Sequence, residues 1–336
     1  MELLNTIFGT PLGYLMRWCY QLLDNYVAAL FLFTVLTKVI LFPLSLLAQR
    51  NSIKMLKLQP LLADINQRYE GNSELIVQEQ KALYKRERYS AMIGVLPLIL
   101  QVLLVIGLIN VIYNPLQHLM NLNPHEIGLL TEKAVELFPQ NFVESFSQIA
   151  VMEAVQREAQ IFRESLGLTT VVNAILEVDF GFLGMNLLEK PSFIDLSFLI
   201  PLLSGASALA LAIAQNHANV LQREQKRFFQ IAMAIFLTLF SGVFAVYVPN
   251  AVGLYWIFGN LLSIPVTYLL NVIYNPKKYI DYSKRSQLQT LSKEERAAKR
   301  AAQKEARQRE KEDSQRFFHS RDLRAVCRGA KGSGSV

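Results

Sequence analysis

Cysteine is nearly absent from this chain: among 336 residues only Cys19 and Cys327 carry a thiol. Two sulfurs so far apart build no disulfide framework, and a structural zinc site needs clustered ligands. Histidine is as sparse, with His118, His125, His217 and His319 scattered along the sequence, so no metal site is expected. The chain also lacks a phosphate-cradling glycine loop, a nucleotide fingerprint and a nucleophile elbow with Ser, His and Asp partners. These gaps argue against an enzyme and against a bound cofactor.

Apolar residues, by contrast, make up 52% of the chain, and mean hydropathy is +0.24. Five stretches reach the roughly 20 apolar residues that a bilayer-spanning helix needs: 26–48, 91–113, 196–214, 228–248 and 251–273. They predict an all-α integral membrane protein with five transmembrane helices. The last two are separated only by Pro249 and Asn250, a pair that stops one helix and allows immediate reversal.

Charge placement predicts the topology. Lys and Arg number eight in residues 50–90, three in 215–227 and seventeen in 276–336, against four in 114–193. Segment 114–193 also holds ten Asp and Glu. The positive-inside rule then puts the N-terminus outside and the C-terminus in the cytoplasm, a parity that five spans satisfy.

Residues 1–25 lack a basic n-region, so no cleaved secretory signal is expected. Leu12, Leu15, Met16, Cys19, Leu22 and Leu23 recur there at helical spacing, predicting a helix in the outer interface. Residues 49–90 predict a cytoplasmic hairpin, with one helix from Asn51 to Tyr69, a turn at Glu70-Gly71-Asn72 and a second helix from Ser73 to Arg88. Ile53, Leu56 and Pro60 would pair with Leu75, Val77 and Leu83. In the acidic segment 114–193, the stripe Phe142, Phe146, Ile149, Met152, Val155, Ala159, Phe162 and Leu166 predicts one amphipathic helix. Residues 215–227 form a cytoplasmic loop, and the basic tail 276–336 has the composition of a disordered arm.

Lys38 is the one cation deep in a span, where an ammonium costs about 2.5–3.5 kcal/mol on insertion scales. Helical spacing puts Thr34 and Ser45 on its face and Thr37 beside it. Gln101, Thr238, Ser241, Asn260, Ser263 and Thr267 are polar positions in other spans, and no carboxylate lies deep in any of them. The pattern points to a water-filled pocket in which the Lys38 charge stays hydrated or meets an acidic group brought by something else. Snorkelling of Lys38 toward an interface is the alternative reading.

Several motifs together resemble the YidC/Oxa/Alb membrane insertase family. LTKVILFPL at 36–44, NSIKMLKLQPLLADINQRY at 51–69 and QKALYKRE at 80–87 are similar to its first core helix and cytoplasmic hairpin. LPLILQVLLVIGL at 96–108, FLGMNLLEKPSF at 182–193, Pro201 with Gly205, and GLYWIFGN at 253–260 are similar to later core segments. The resemblance runs from about residue 10 to 278 and implies a short form without the large extracytoplasmic domain.

It further implies a nucleotide-independent insertase and chaperone for nascent membrane proteins. Such proteins act alone or with the Sec translocon, through a polar groove open to cytoplasm and lipid. Lys38 stands where the family has a groove arginine that attracts acidic substrate tails, with Thr34, Thr37, Ser45, Gln101, Asn260 and Ser263 as groove-lining positions. Lysine keeps the charge and loses the bidentate fork. Pro265, Val266 and Thr267 replace positions where members often carry glutamines, and segment 114–193 is longer than is common. The ribosome, through tail and hairpin, and anionic lipids are further expected partners. A small-solute transporter and a non-catalytic assembly scaffold are the competing functions.

Overall fold

A computed structural model describes residues 9–139, 147–218 and 227–275, together with 294, 297–298, 301–302 and 304–309. Phe142, Phe146, most of loop 215–227 and nearly all of the basic tail lie outside the described residues. The chain divides into two compact units, Met1–Leu56 with Arg88–Pro276, and Lys57–Glu87 with Lys277–Val336.

Helix α1, Thr10–Leu23, has a proline in its first turn, where a missing N–H costs nothing, and ends at Asp24 in the left-handed region. Helix α2 then runs without interruption through Tyr26–Arg68, 43 residues. The sequence reading divides this stretch into a span and a separate arm. No glycine or proline occurs between Ala48 and Asn51, so nothing in the backbone chemistry ends the helix there. Asn51 instead braces the start of α4, Ala91–Tyr113: its Nδ2 donates to Ser90 O at 2.7 Å, and Ser90 N donates to its Oδ1.

Within the smaller unit, Gly71 at φ +94° makes the turn into α3, Ser73–Arg86. Asn72 caps that helix by accepting from Leu75 N. Gln80 Nε2 donates to Asn66 Oδ1 at 2.8 Å, and Arg68 pairs with Asp64. The inward face is Ile76, Gln80, Leu83 and Tyr84, whereas Leu75 and Val77 are exposed. Steps of three and four residues select the first set, and Leu75 and Val77 fall off that face.

Between α4 and the next span lie α5 (Pro115–His118), α6 (Pro124–Leu137), α7 (Ser147–Arg157), α8 (Ala159–Leu166) and α9 (Thr169–Glu177). Asn123 and Glu126 form a capping box at the start of α6. The single amphipathic helix expected here is two helices, because Glu158 leaves the helical region between α7 and α8. The break turns Ile149, Met152 and Val155 on α7 and Phe162 on α8 into one apolar cluster.

Two short strands, β1 (Gly181–Phe182) and β2 (Met185–Asn186), pair antiparallel across Leu183 and Gly184, both at positive φ. The spans α10 (Leu199–Ala218), α11 (Arg227–Tyr247) and α12 (Asn250–Ile273) follow. Five helices, α2, α4, α10 (with its 3-10 lead-in from Leu196), α11 and α12, are long and apolar enough to cross a membrane. The chain is therefore an all-α multi-pass membrane protein. Met92, Leu98 and Val102 on α4, and Phe236, Leu239 and Val243 on α11, are exposed. In water such faces would be a liability; acyl chains are the solvent that suits them.

The core joins α1 and the 115–188 segment to one end of the spans. Met16, Leu30, Phe33, Leu108, Ile112, Leu116, Leu130, Met152, Phe162, Ile175 and Leu187 are all buried in one cluster. At the same end the start of α12 is sewn to backbone beyond β2. Asn250 N donates to Glu189 O and Ala251 N to Leu187 O, each at 2.8 Å, while Asn250 Nδ2 donates to Asn186 O at 2.9 Å. Two of the N–H groups that a helix start leaves open are thus satisfied within the protein.

Candidate intramembrane polar site

Helix α12 carries a row of polar side chains, Asn260, Ser263, Thr267 and Asn271, at steps of three and four residues. The spacing keeps them on one side of the helix. Each hydroxyl satisfies itself first: Ser263 Oγ donates to Gly259 O at 2.6 Å and Thr267 Oγ1 to Ser263 O at 2.8 Å. A hydroxyl that has spent its proton still has lone pairs. Lys38 Nζ, half-buried on α2, donates to Ser263 Oγ at 2.7 Å.

No carboxylate pairs with Lys38 among the described residues, whose ion pairs include Arg68–Asp64, Arg86–Glu87 and Lys133–Glu136. The ammonium therefore rests on a neutral acceptor with two protons left to donate. A neutral hydroxyl compensates a desolvated cation less than a carboxylate would. The position is chemically suited to an incoming anionic group.

Thr34 and Thr37 are buried and do not present free hydroxyls. Thr34 Oγ1 donates to Leu30 O at 2.7 Å and Thr37 Oγ1 to Thr34 O at 2.8 Å. Ser45 Oγ likewise donates to Leu41 O at 3.1 Å. Gln101 is half-buried on α4, and its side chain makes no hydrogen bond among the described residues. Asn260 is buried and faces α10, where its Nδ2 donates to Ser207 Oγ at 3.0 Å. Ser263 is the predicted lining residue that touches Lys38.

Three further polar ties did not figure among the predicted site residues. Gln49 Nε2 on α2 donates to Asn271 Oδ1 at 2.8 Å, and Asn271 Nδ2 donates to Ala218 O at 2.7 Å. Asn271 thus joins α2, α12 and the end of α10. Ser204 Oγ on α10 and Ser241 Oγ on α11 lie 2.8 Å apart, both buried. The signal for the first tie was present: Asn271 is four residues beyond Thr267, and Gln49 is eleven residues, three turns, beyond Lys38. Of the two serines, Ser241 is named among the polar positions of the sequence reading and Ser204 is not; single hydroxyls are common in spans, and no spacing pairs the two.

Aromatic pairs flank the polar row on the side toward the core. Phe31 meets Phe258 edge-on with centroids 5.3 Å apart, and Phe33 meets Tyr255 at 6.1 Å. They fix the register in which α2 faces α12, and hence the Lys38–Ser263 contact.

Residues 18–278 match the family model described as 60Kd inner membrane protein. The membrane protein insertase YidC of Clostridium perfringens is 24% identical over 259 residues, covering 76% of this chain and 82% of that protein. That of Marinobacter nauticus is 36% identical over 107 residues, 32% of this chain and 19% of its own length. That of Syntrophobacter fumaroxidans is 33% identical over 97 residues, 29% of this chain and 18% of its own length. The chain thus spans about a fifth of the length of these last two relatives.

Proposed function

The chain belongs to the 60Kd inner membrane protein (YidC/Oxa/Alb) family, and from that premise we propose that it inserts newly made membrane proteins and helps them fold. The observation that carries this reading is an ammonium half-buried inside a span whose described partner is a neutral hydroxyl. An acidic residue in the leading tail of a substrate is a stronger partner than Ser263, so it draws the tail into the bundle. Insertion of the following apolar helix then proceeds by exit toward lipid.

The physical task is to lower the cost of moving a short polar segment through hydrocarbon, several kcal/mol for each unsatisfied group. A polar groove open to cytoplasm and lipid, with Lys38 at its charged point, shortens the desolvated path. Asn260, Ser263 and the nearby hydroxyls supply secondary contacts, and Gln101 is a further lining position. No nucleotide is consumed.

The positive-inside count supports an orientation with the N-terminus and segment 114–193 outside, and the hairpin and tail in the cytoplasm. In that orientation the basic tail meets ribosomal RNA or anionic lipid, and the hairpin meets the nascent chain. Cooperation with the Sec translocon is part of the same reading.

The test is protease protection of a single-span substrate with an acidic N-terminal tail, in proteoliposomes carrying the native protein, Lys38→Arg or Lys38→Ala. Native protein and the arginine variant should protect the tail. Alanine should cut protection about tenfold, the scale of one lost contact of roughly 1.4 kcal/mol. Equal protection by all three variants would remove Lys38 from the mechanism. Absence of protection in all three would mean that insertion needs another component.

A further inference from the structure

Away from the polar row, α1, α5 and α6, with Gln148 of α7, line an open cavity of about 610 Å³. That volume falls in the range of sites that hold small molecules or headgroups, about 300–1,000 Å³. Its lining includes one full positive charge, Arg17, and one full negative charge, Glu132. They do not pair with each other, and neither takes part in the ion pairs found among the described residues. Arg17 is held over the ring of Tyr14, its Cζ 5.4 Å from the centroid.

The wall between the two charges is rigid and neutral. His118 Nε2 lies 2.9 Å from Asn110 Oδ1, and the ring packs against Gly13, where even a Cβ would come within 2.4 Å of Nδ1. Burial pushes the His118 imidazole below its usual range, so it adds no charge near neutral pH. One cation and one anion facing a shared space suit a ligand that is itself a zwitterion.

The other side of α1 indicates where that ligand comes from. Thr10, Gly13, Tyr14 and Arg17 form the cavity face at steps of three and four residues. The adjacent face exposes Trp18 and Leu22, 52% and 60% accessible. An exposed tryptophan with leucines on an amphipathic helix is the composition of a membrane interface. One helix therefore offers polar groups to a head and apolar surface to chains.

We propose that this cavity binds the headgroup of a zwitterionic phospholipid of the phosphoethanolamine class, with the phosphate at Arg17 and the ammonium at Glu132. Its acyl chains lie along Trp18 and Leu22. The site is separate from Lys38 and independent of the insertase reading. Occupancy ties α1 to α6 and so steadies the lipid-facing rim of the bundle.

The test is calorimetric titration of the purified full chain in detergent with three probes: dihexanoyl phosphatidylethanolamine, dihexanoyl phosphatidylglycerol and soluble glycerophosphoethanolamine. The phosphatidylethanolamine should bind about tenfold more tightly than the phosphatidylglycerol, the weight of one charge-assisted contact, and about tenfold more tightly than glycerophosphoethanolamine, which lacks the chains that lie along Trp18 and Leu22. Arg17→Gln should weaken both lipids, while Glu132→Gln should weaken only the phosphatidylethanolamine. Both side chains are at least partly exposed, and a circular dichroism spectrum checks that each variant folds. Equal affinity for the two lipids, or unchanged binding in both variants, overturns the proposal. Glycerophosphoethanolamine binding as tightly as the lipid overturns the assignment to a membrane lipid.

Discussion

At Gly13 the absence of a side chain is a packing requirement. A Cβ there would meet His118 at 2.4 Å from Nδ1 and 2.9 Å from Cγ, and that ring is itself fixed by Asn110. Gly13→Ala is expected to destabilise the protein by about 1–3 kcal/mol, the usual cost of overpacking. Gly128, inside α6, has open space around its Cβ position, so Gly128→Ala should stabilise by up to about 1 kcal/mol through helix propensity. Thermal unfolding in detergent distinguishes them: the two substitutions should move the midpoint in opposite directions. Nothing in the sequence separates these glycines, since each sits in a stretch of helical periodicity and the difference lies in which side chain comes across from another element.

Lys38 was legible as a residue because a cation with apolar helix on either side stands out against its surroundings. Its partner was legible only as one of several polar positions. Ser263 was distinguished from Gln101 by the way α2 faces α12, which depends on the Phe31–Phe258 and Phe33–Tyr255 contacts. Such long-range aromatic pairing leaves no mark in local spacing.

Among the elements, the five apolar helices were readable because twenty apolar residues in a row leave the backbone few choices. Less readable was where helices end. Helix α2 continues through a change from apolar to polar composition, since composition alters the solvent a helix prefers without breaking its hydrogen bonds. The β1–β2 hairpin was not foreseen, two residues per strand being too short for a period-two pattern.

Asn271 makes a prediction at this scale, because it joins the C-terminal ends of α10 and α12 to the middle of α2. Asn271→Leu removes the acceptor for Gln49 and the donor to the Ala218 carbonyl. Gln49 is buried, so the loss should cost about 1–3 kcal/mol. Hydrogen exchange should quicken at the C-terminal turns of α10 and α12 and stay unchanged at their other ends. Uniform quickening along both helices would refute a local role.

For the whole molecule, family membership and the proposed orientation together specify which surfaces face which compartment. Leu183 at the hairpin tip and Lys81 on α3 are both exposed, and single cysteines at these sites report sidedness. With Cys19 and Cys327 replaced, a membrane-impermeant maleimide added to intact cells lacking the outer barrier should label Leu183→Cys. It should reach Lys81→Cys only after the membrane is opened. The reverse pattern would invert the topology and place segment 114–193 in the cytoplasm.

The stitches between Asn250 and the 186–189 backbone also bear on the order in which this protein is itself assembled. Asn186 is made 64 residues before Asn250, and two spans, α10 and α11, lie between them. The last span therefore completes its first turn against peptide that crossed, or failed to cross, much earlier in synthesis. A chain whose middle segment stayed on the wrong side would present α12 with bare N–H groups at a membrane boundary. Correct delivery of one part of the chain is thereby verified by the closing of another.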